Sequence, residues 1–196
     1  MSSAWQKWLR QRFQMDQQKT LTQRDVLVFI YQQGYLYLVL IFICFVAGVN
    51  YANNLILGFC FLVSAVLCIS FYVTFKQLHG LQIELHADEV GQVGSFIHLQ
   101  LYVQQSVAQS RYLYIQVGSQ LHKVHVHQLK HKVEIPFYPE HRGRFDYPII
   151  QIYSIYPFGL VRAWTYFYHK HMAWIAPKAK TLLNEQPQYQ QNFEQD

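Results

Sequence analysis

Ten histidines, three cysteines and eleven carboxylates are the side chains with which this 196-residue chain could do chemistry, and their placement limits what that chemistry is. His125 and His127 alternate with Val124 and Val126, so both rings project from one face of a strand, with His122, Lys123, Lys130 and His131 nearby. Two imidazoles at i and i+2 can share a metal, and His169 and His171 repeat the spacing. No Cys, Asp or Glu accompanies either pair to complete a metal's coordination shell. Solvated strand faces are therefore the simpler reading, and a metal- or ligand-binding module built on His125 and His127 is the alternative.

Covalent catalysis has less to work with. Cys44, Cys60 and Cys68 all fall inside long apolar runs, which leaves no thiol elsewhere for a disulfide, a zinc site or a nucleophile. Serines and histidines are present, but a hydrolase also needs a base and an orienting group around its nucleophile. The chain carries no nucleophile elbow, no HExxH and no phosphate-binding glycine loop. Asp88, Glu89, Glu134, Glu140 and Asp146 sit in or near turns, where carboxylates are ordinarily solvated. The expectation is a non-enzymatic protein with no cofactor.

Recognition is better represented. The segment Ser154 to Trp164 (SIYPFGLVRAW) places Tyr156-Pro157-Phe158-Gly159 in the pattern of a type I turn, with proline setting φ at its second position and glycine at its fourth. The turn either presents Phe158 at its tip or folds it onto the sandwich edge as a structural corner. Arg162 and Trp164 stand two apart on the following strand and share a face, where the guanidinium can stack on a neighbouring ring. Phe158, Arg162 and Trp164 are the candidate partner-docking residues.

What positions these residues is organised around an uncharged stretch. From Val26 to Phe75 there is no Asp, Glu, Lys or Arg. A bilayer core of roughly 30 Å takes about 20 apolar residues per helical span. The stretch therefore holds two spans, Tyr35 to Val49 and Leu55 to Phe75, joined by a turn containing Asn50, Asn53 and Asn54. Before Gly34 there are five basic residues (Lys7, Arg10, Arg12, Lys19, Arg24) against two acidic ones (Asp16, Asp25), and the inter-span turn has none. The positive-inside rule then puts both termini in the cytoplasm of a bacterium and the turn on the far side of its inner membrane. The apolar run starts too late and is too long for a cleaved signal peptide, so the first span is expected to remain as an anchor. Trp5, Trp8, Leu9 and Phe13 recur at helical spacing among Lys7, Arg10 and Arg12, the pattern of a short helix lying at the membrane interface, with Trp5 and Trp8 as anchors; a mobile tail with incidental aromatics is the alternative.

After Lys76 the periodicity changes to that of strands. Alternating or apolar runs occur at Leu81 to His86, Phe96 to Val103, Tyr112 to Val117, Leu121 to Val126, Lys132 to Phe137, Tyr147 to Ile155, Leu160 to Tyr168 and Met172 to Ile175. Gly118-Ser119 reads as a hairpin turn and Asp88 to Gly94 as a second turn region. About eight short strands with no long helical pattern predict an antiparallel β-sandwich. The expected organisation is a basic N-terminal segment (1–33), a transmembrane hairpin (34–76), a cytoplasmic sandwich (77–180) and a disordered Gln/Asn-rich tail (181–196). A net charge of +5 suits an anionic membrane surface or an acidic partner. The scattered basic residues do not form the groove that nucleic acid requires.

Arg142-Gly143, the Pro-Phe-Gly-Leu and Arg-Ala-Trp pieces of Ser154 to Trp164, Trp174-Ile-Ala-Pro177, and Asn-Tyr-Ala-Asn-Asn-Leu at Asn50 to Leu55 resemble the bacterial family called domain of unknown function 58. The resemblance covers roughly residues 34 to 178 in the expected order. It implies a membrane-anchored protein acting in assembly or maturation of other complexes, beside a MoxR-type AAA+ ATPase and proteins related to von Willebrand factor A. That family usually continues into a von Willebrand A-like domain, which is not expected within these 196 residues, so nothing housed there carries over. The partners this implies are the lipid bilayer and an AAA+ ATPase or von Willebrand A-like protein, with a homo-oligomer as the other outcome.

Overall fold

A computed structural model of the chain describes Phe13 and residues 18–178. Two short strands, β1 (Gln18–Thr20) and β2 (Leu27–Ile30), precede two helices, α1 (Gln32–Asn50) and α2 (Asn54–Leu78). Ten further strands follow: β3 (Gln82–Ala87), β4 (Val90–Gln92), β5 (Ile97–Gln104), β6 (Arg111–Val117), β7 (Gln120–Val126), β8 (Lys130–Phe137), β9 (Gly143–Asp146), β10 (Ile150–Ser154), β11 (Val161–Phe167) and β12 (Met172–Ala176). A helix pair followed by antiparallel sheets is the architecture expected from the sequence. Trp5, Trp8 and the 181–196 tail lie outside the described residues.

The two helices are apolar all round, with mean hydropathy of 1.8 and 2.5, and each is long enough to cross a membrane. Only 11% and 22% of their most apolar windows is covered by the rest of the chain. Phe42, Ile43, Phe61 and Leu62 stand bare, which is the opposite of a core hairpin in a soluble fold. Between the helices, Asn53 is the N-cap of α2 and its side chain accepts from the Leu55 and Ile56 amides at 2.9 and 3.4 Å. Asn50 ends α1 and Asn54 begins α2, so the turn proper is Tyr51 to Asn53. Cys60 is buried against α1, its Sγ 3.5 Å from Ile41 O, whereas Cys68 is exposed.

The strands form a four-stranded sheet in the order β1-β3-β5-β8, a five-stranded sheet in the order β2-β11-β10-β6-β7, and a three-stranded sheet in the order β4-β12-β9. Among the described residues all strand pairs are antiparallel except β4 with β12. Alternate residues of the two larger sheets meet in one core. Ile83, Leu85, Leu99 and Leu101 from one sheet share it with Leu113, Ile115, Ile152 and Phe167 from the other, and the third sheet adds Ala173 and Ile175. The β6–β7 turn is the Gly118-Ser119 hairpin, with Val117 opposite Gln120 and Gly118 at φ +59°.

The sandwich does not begin after the hairpin. β1 pairs with β3 and β2 with β11, so residues expected in a separate N-terminal segment complete one edge of each large sheet. Three residues of β1 are too few to show a period. Leu-Val-Phe-Ile in β2 merges into the uncharged stretch, where an apolar run alone does not separate strand from helix. Likewise β4 lies inside the expected Asp88 to Gly94 turn, and β9 is only four residues long.

Candidate docking face and hairpin base

On β11 the inward positions Val161, Ala163, Thr165 and Phe167 are fully buried, so Arg162, Trp164 and Tyr166 must point outward. The register then selects their neighbours. Tyr153 of β10 stands opposite Trp164, Tyr114 of β6 opposite Tyr153, and Lys123 of β7 opposite Tyr114. The result is a continuous row across four strands. The Arg162 guanidinium carbon lies 4.0 Å over the Tyr153 ring and 5.9 Å from Trp164. The Tyr153 ring is stacked on Tyr114, with centroids 5.0 Å apart and planes 8° apart, and Lys123 Nζ sits 5.9 Å from Tyr114. Burial raises the Tyr153 hydroxyl pKa despite the opposing charge of Arg162. Arg162 Nε is buried without a hydrogen-bond acceptor. The guanidinium is held over aromatic rings with its Nε closed off from solvent, so the pair forms a fixed cation–π unit on the face. Arg162 and Trp164 are thus brought together as their spacing implied. Tyr153 and Tyr114, which form the platform, were not legible, because cross-strand register is not in the local pattern.

Phe158 occupies a different place. It lies in the loop between β10 and β11, beside the ends of both helices, and is 51% exposed. The loop differs from a simple type I turn: the Tyr156–Pro157 peptide is cis, Gly159 has φ +70°, and the Gly159 amide bonds Ile155 O at 2.9 Å. Thr74 Oγ1 of α2 donates to Tyr156 O at 3.1 Å, and the Tyr31 amide ahead of α1 donates to Leu160 O at 2.8 Å. Leu67, Leu160 and Val161 form a small second core with Val28, Tyr37, Ile41 and Phe71.

The two histidine pairs lie at separate sites. His125 and His127 have ring centroids 5.5 Å apart, but His125 is flat on Tyr112 (4.3 Å, 4°) and its Nε2 is 2.6 Å from Ser110 Oγ. That Ser–His contact is exposed, and among the described residues no carboxylate bonds the His125 ring to orient it. His169 and His171, 5.6 Å apart, line an open concavity of about 680 Å³ with Arg144, Asp146 and Lys170. Arg144 Nε and Asp146 Oδ1 form an ion pair at 2.8 Å. His169 Nε2 is 3.0 Å from Pro148 O, and burial lowers the His169 pKa. Among the described residues no three His, Cys, Asp or Glu side chains converge to hold a metal. No protein-family model, curated protein or solved structure matches the chain.

Proposed function

We propose that the chain is a non-enzymatic, membrane-anchored docking module. Its helical hairpin crosses a bacterial inner membrane twice, and its β-sandwich presents the Arg162–Tyr153–Trp164 face to another protein. The observation that carries this reading is the outward row of stacked rings and cations on a sheet whose edge and loops are bonded to the hairpin, so that the face is held in a set relation to the bilayer. Strands from before α1 and after α2 share sheets, which supports placing both flanks of the hairpin on one side of the membrane. The basic bias ahead of α1 favours the cytoplasmic side. The partner class is the one that the family resemblance implies, an AAA+ ATPase or a von Willebrand A-like protein involved in assembly.

The test is crosslinking in intact membranes followed by purification through a tag. The expected result is recovery of such a protein with the parent chain and its loss with Arg162→Ala and Trp164→Ala, while thermal unfolding of both variants stays close to the parent. Equal recovery from parent and variants removes the face from the proposal. Recovery of the chain with only its own copies replaces a partner complex by a homo-oligomer.

A further inference from the structure

The residues around the base of the hairpin have a chemistry of their own. The Tyr156–Leu160 loop is bonded to both helices through Thr74 and Tyr31, and Gly34 of α1 packs directly on the Leu160 carbonyl. Wherever the helices go, this loop goes with them. Phe158 at its tip and Phe29, which precedes α1 on the edge strand, are both more than half exposed. Tyr35 in the first turns of α1 and Tyr72 in α2 are exposed as well, and Lys76 Nζ lies 5.5 Å over the Tyr72 ring.

Distance along the helix decides where this collar lies. Gln33, whose side chain lies against Gly159, is separated from Asn50 by a helical rise of about 26 Å at 1.5 Å per residue. That is close to the roughly 30 Å of a bilayer's hydrocarbon core. With Tyr51, exposed at the hairpin apex, at one boundary, the other boundary falls at the level of the Phe158 loop. Aromatic rings are enriched at both such boundaries, and lysines extend their heads toward the phosphates there.

We infer that Phe158 and Phe29 form a second, peripheral membrane contact. Their rings enter the headgroup–acyl boundary of the phospholipid bilayer that the hairpin spans, with Lys76 at the phosphate level, so the sandwich sits flush on the membrane. This rests on the spanning reading of the hairpin. Lipid is the occupant because the patch continues the uncovered apolar surface of the helices and is locked to them through backbone groups. Phe158 then sets the depth of the domain, and because Phe29 stands opposite Arg162 on the outward sheet face, the lipid contact adjoins the docking row at its β2 edge.

The experiment uses the full chain in phosphatidylcholine–phosphatidylglycerol vesicles, with Cys44, Cys60 and Cys68 replaced by Ala. Single cysteines are introduced by Phe158→Cys or Phe29→Cys and spin-labelled, and accessibility to oxygen is compared with that to a water-soluble nickel chelate. Phe42→Cys on α1 serves as the lipid reference and Val90→Cys on the three-stranded sheet as the aqueous one. Both Phe42 and Val90 are exposed, and neither is a core position. The expected oxygen-to-nickel ratio at 158 and 29 is several-fold above that at 90. A ratio equal to that at 90, with 42 lipid-like, overturns the inference alone. Exclusion of both reagents at 158 and 29 means protein covers the patch, and overturns it too. Nickel access at 42 equal to that at 90 sinks the spanning reading itself.

Discussion

Arg111 Nη1 donates to the carbonyl oxygen of Lys76 at 3.0 Å, and the same nitrogen reaches Gln77 O at 3.1 Å and His79 O at 2.9 Å. The last carbonyls of α2 have no partners within the helix and lie at the negative end of its dipole. A guanidinium on the first residue of β6 supplies both the donors and the charge. The neighbouring Tyr112 amide donates to Gln77 Oε1 at 3.2 Å. One strand end is thereby stapled to the helix exit. Burial lowers the Arg111 pKa, yet a guanidinium remains charged across the accessible pH range.

Replacing Arg111 with Met keeps much of the side-chain bulk and removes this staple. The expected loss is about 2 kcal/mol, the scale of charge-assisted hydrogen bonds at a helix terminus. Arg111→Lys restores the charge without the planar fork and recovers only part of it. Thermal unfolding in detergent, followed by circular dichroism, measures both. An Arg111→Met midpoint equal to that of the parent would show the three contacts to be energetically idle.

Gly34 and Gly58 separate packing from helix propensity. A Cβ at Gly34 would collide with Leu160 O and Ile30 Cγ2, the backbone contact that seats α1 on the β10–β11 loop, whereas one at Gly58 meets nothing within 4 Å. Gly34→Ala is expected to cost on the order of 2 kcal/mol, as overpacking does. Gly58→Ala is expected to gain about 0.5 kcal/mol from reduced backbone freedom. Opposite shifts in midpoint are the signature, and equal shifts would refute the close approach.

Two titrations act on stability at opposite ends of the acid range. At Asp25, burial by itself raises the pKa, but bonds from Lys19 at 2.8 Å and Thr22 Oγ1 at 2.6 Å outweigh it and the net shift is downward. Its contribution is present above the ordinary value of 3.8 and is lost as pH falls through the folded value. His169 is held below 6.5 by burial, so the unfolded chain takes the proton first and stability declines as pH drops through 6.5. Midpoints measured from about pH 7 to about pH 5 should fall less steeply for His169→Gln than for the parent. Parallel slopes would contradict the assignment.

The Arg162–Tyr153 stack can be weighed directly. A double-mutant cycle of Arg162→Ala and Tyr153→Ala is expected to give a coupling of about 0.5–1 kcal/mol, the range for a partly exposed cation–π pair. A coupling indistinguishable from zero would leave the 4.0 Å approach without energetic content.

The periodicities and the apolar run are local properties, and they were enough for the hairpin and for eight strands. Ile97, Leu99, Leu101 and Val103 alternate in the sequence and all are buried; the uncharged stretch contains α1 and all but the last three residues of α2; and Arg162 with Trp164 share a face because a strand repeats every two residues. The tertiary structure alone decided what is not periodic. Leu27–Ile30 became a strand because β11 offers it a free edge, against an apolar composition that suits a helix equally well. Arg162 found Tyr153, and Arg111 the end of α2, through registers and packing between segments distant in the chain. Such contacts leave no spacing to read, because each residue's partner is set by how sheets and helices stack and not by its neighbours along the backbone.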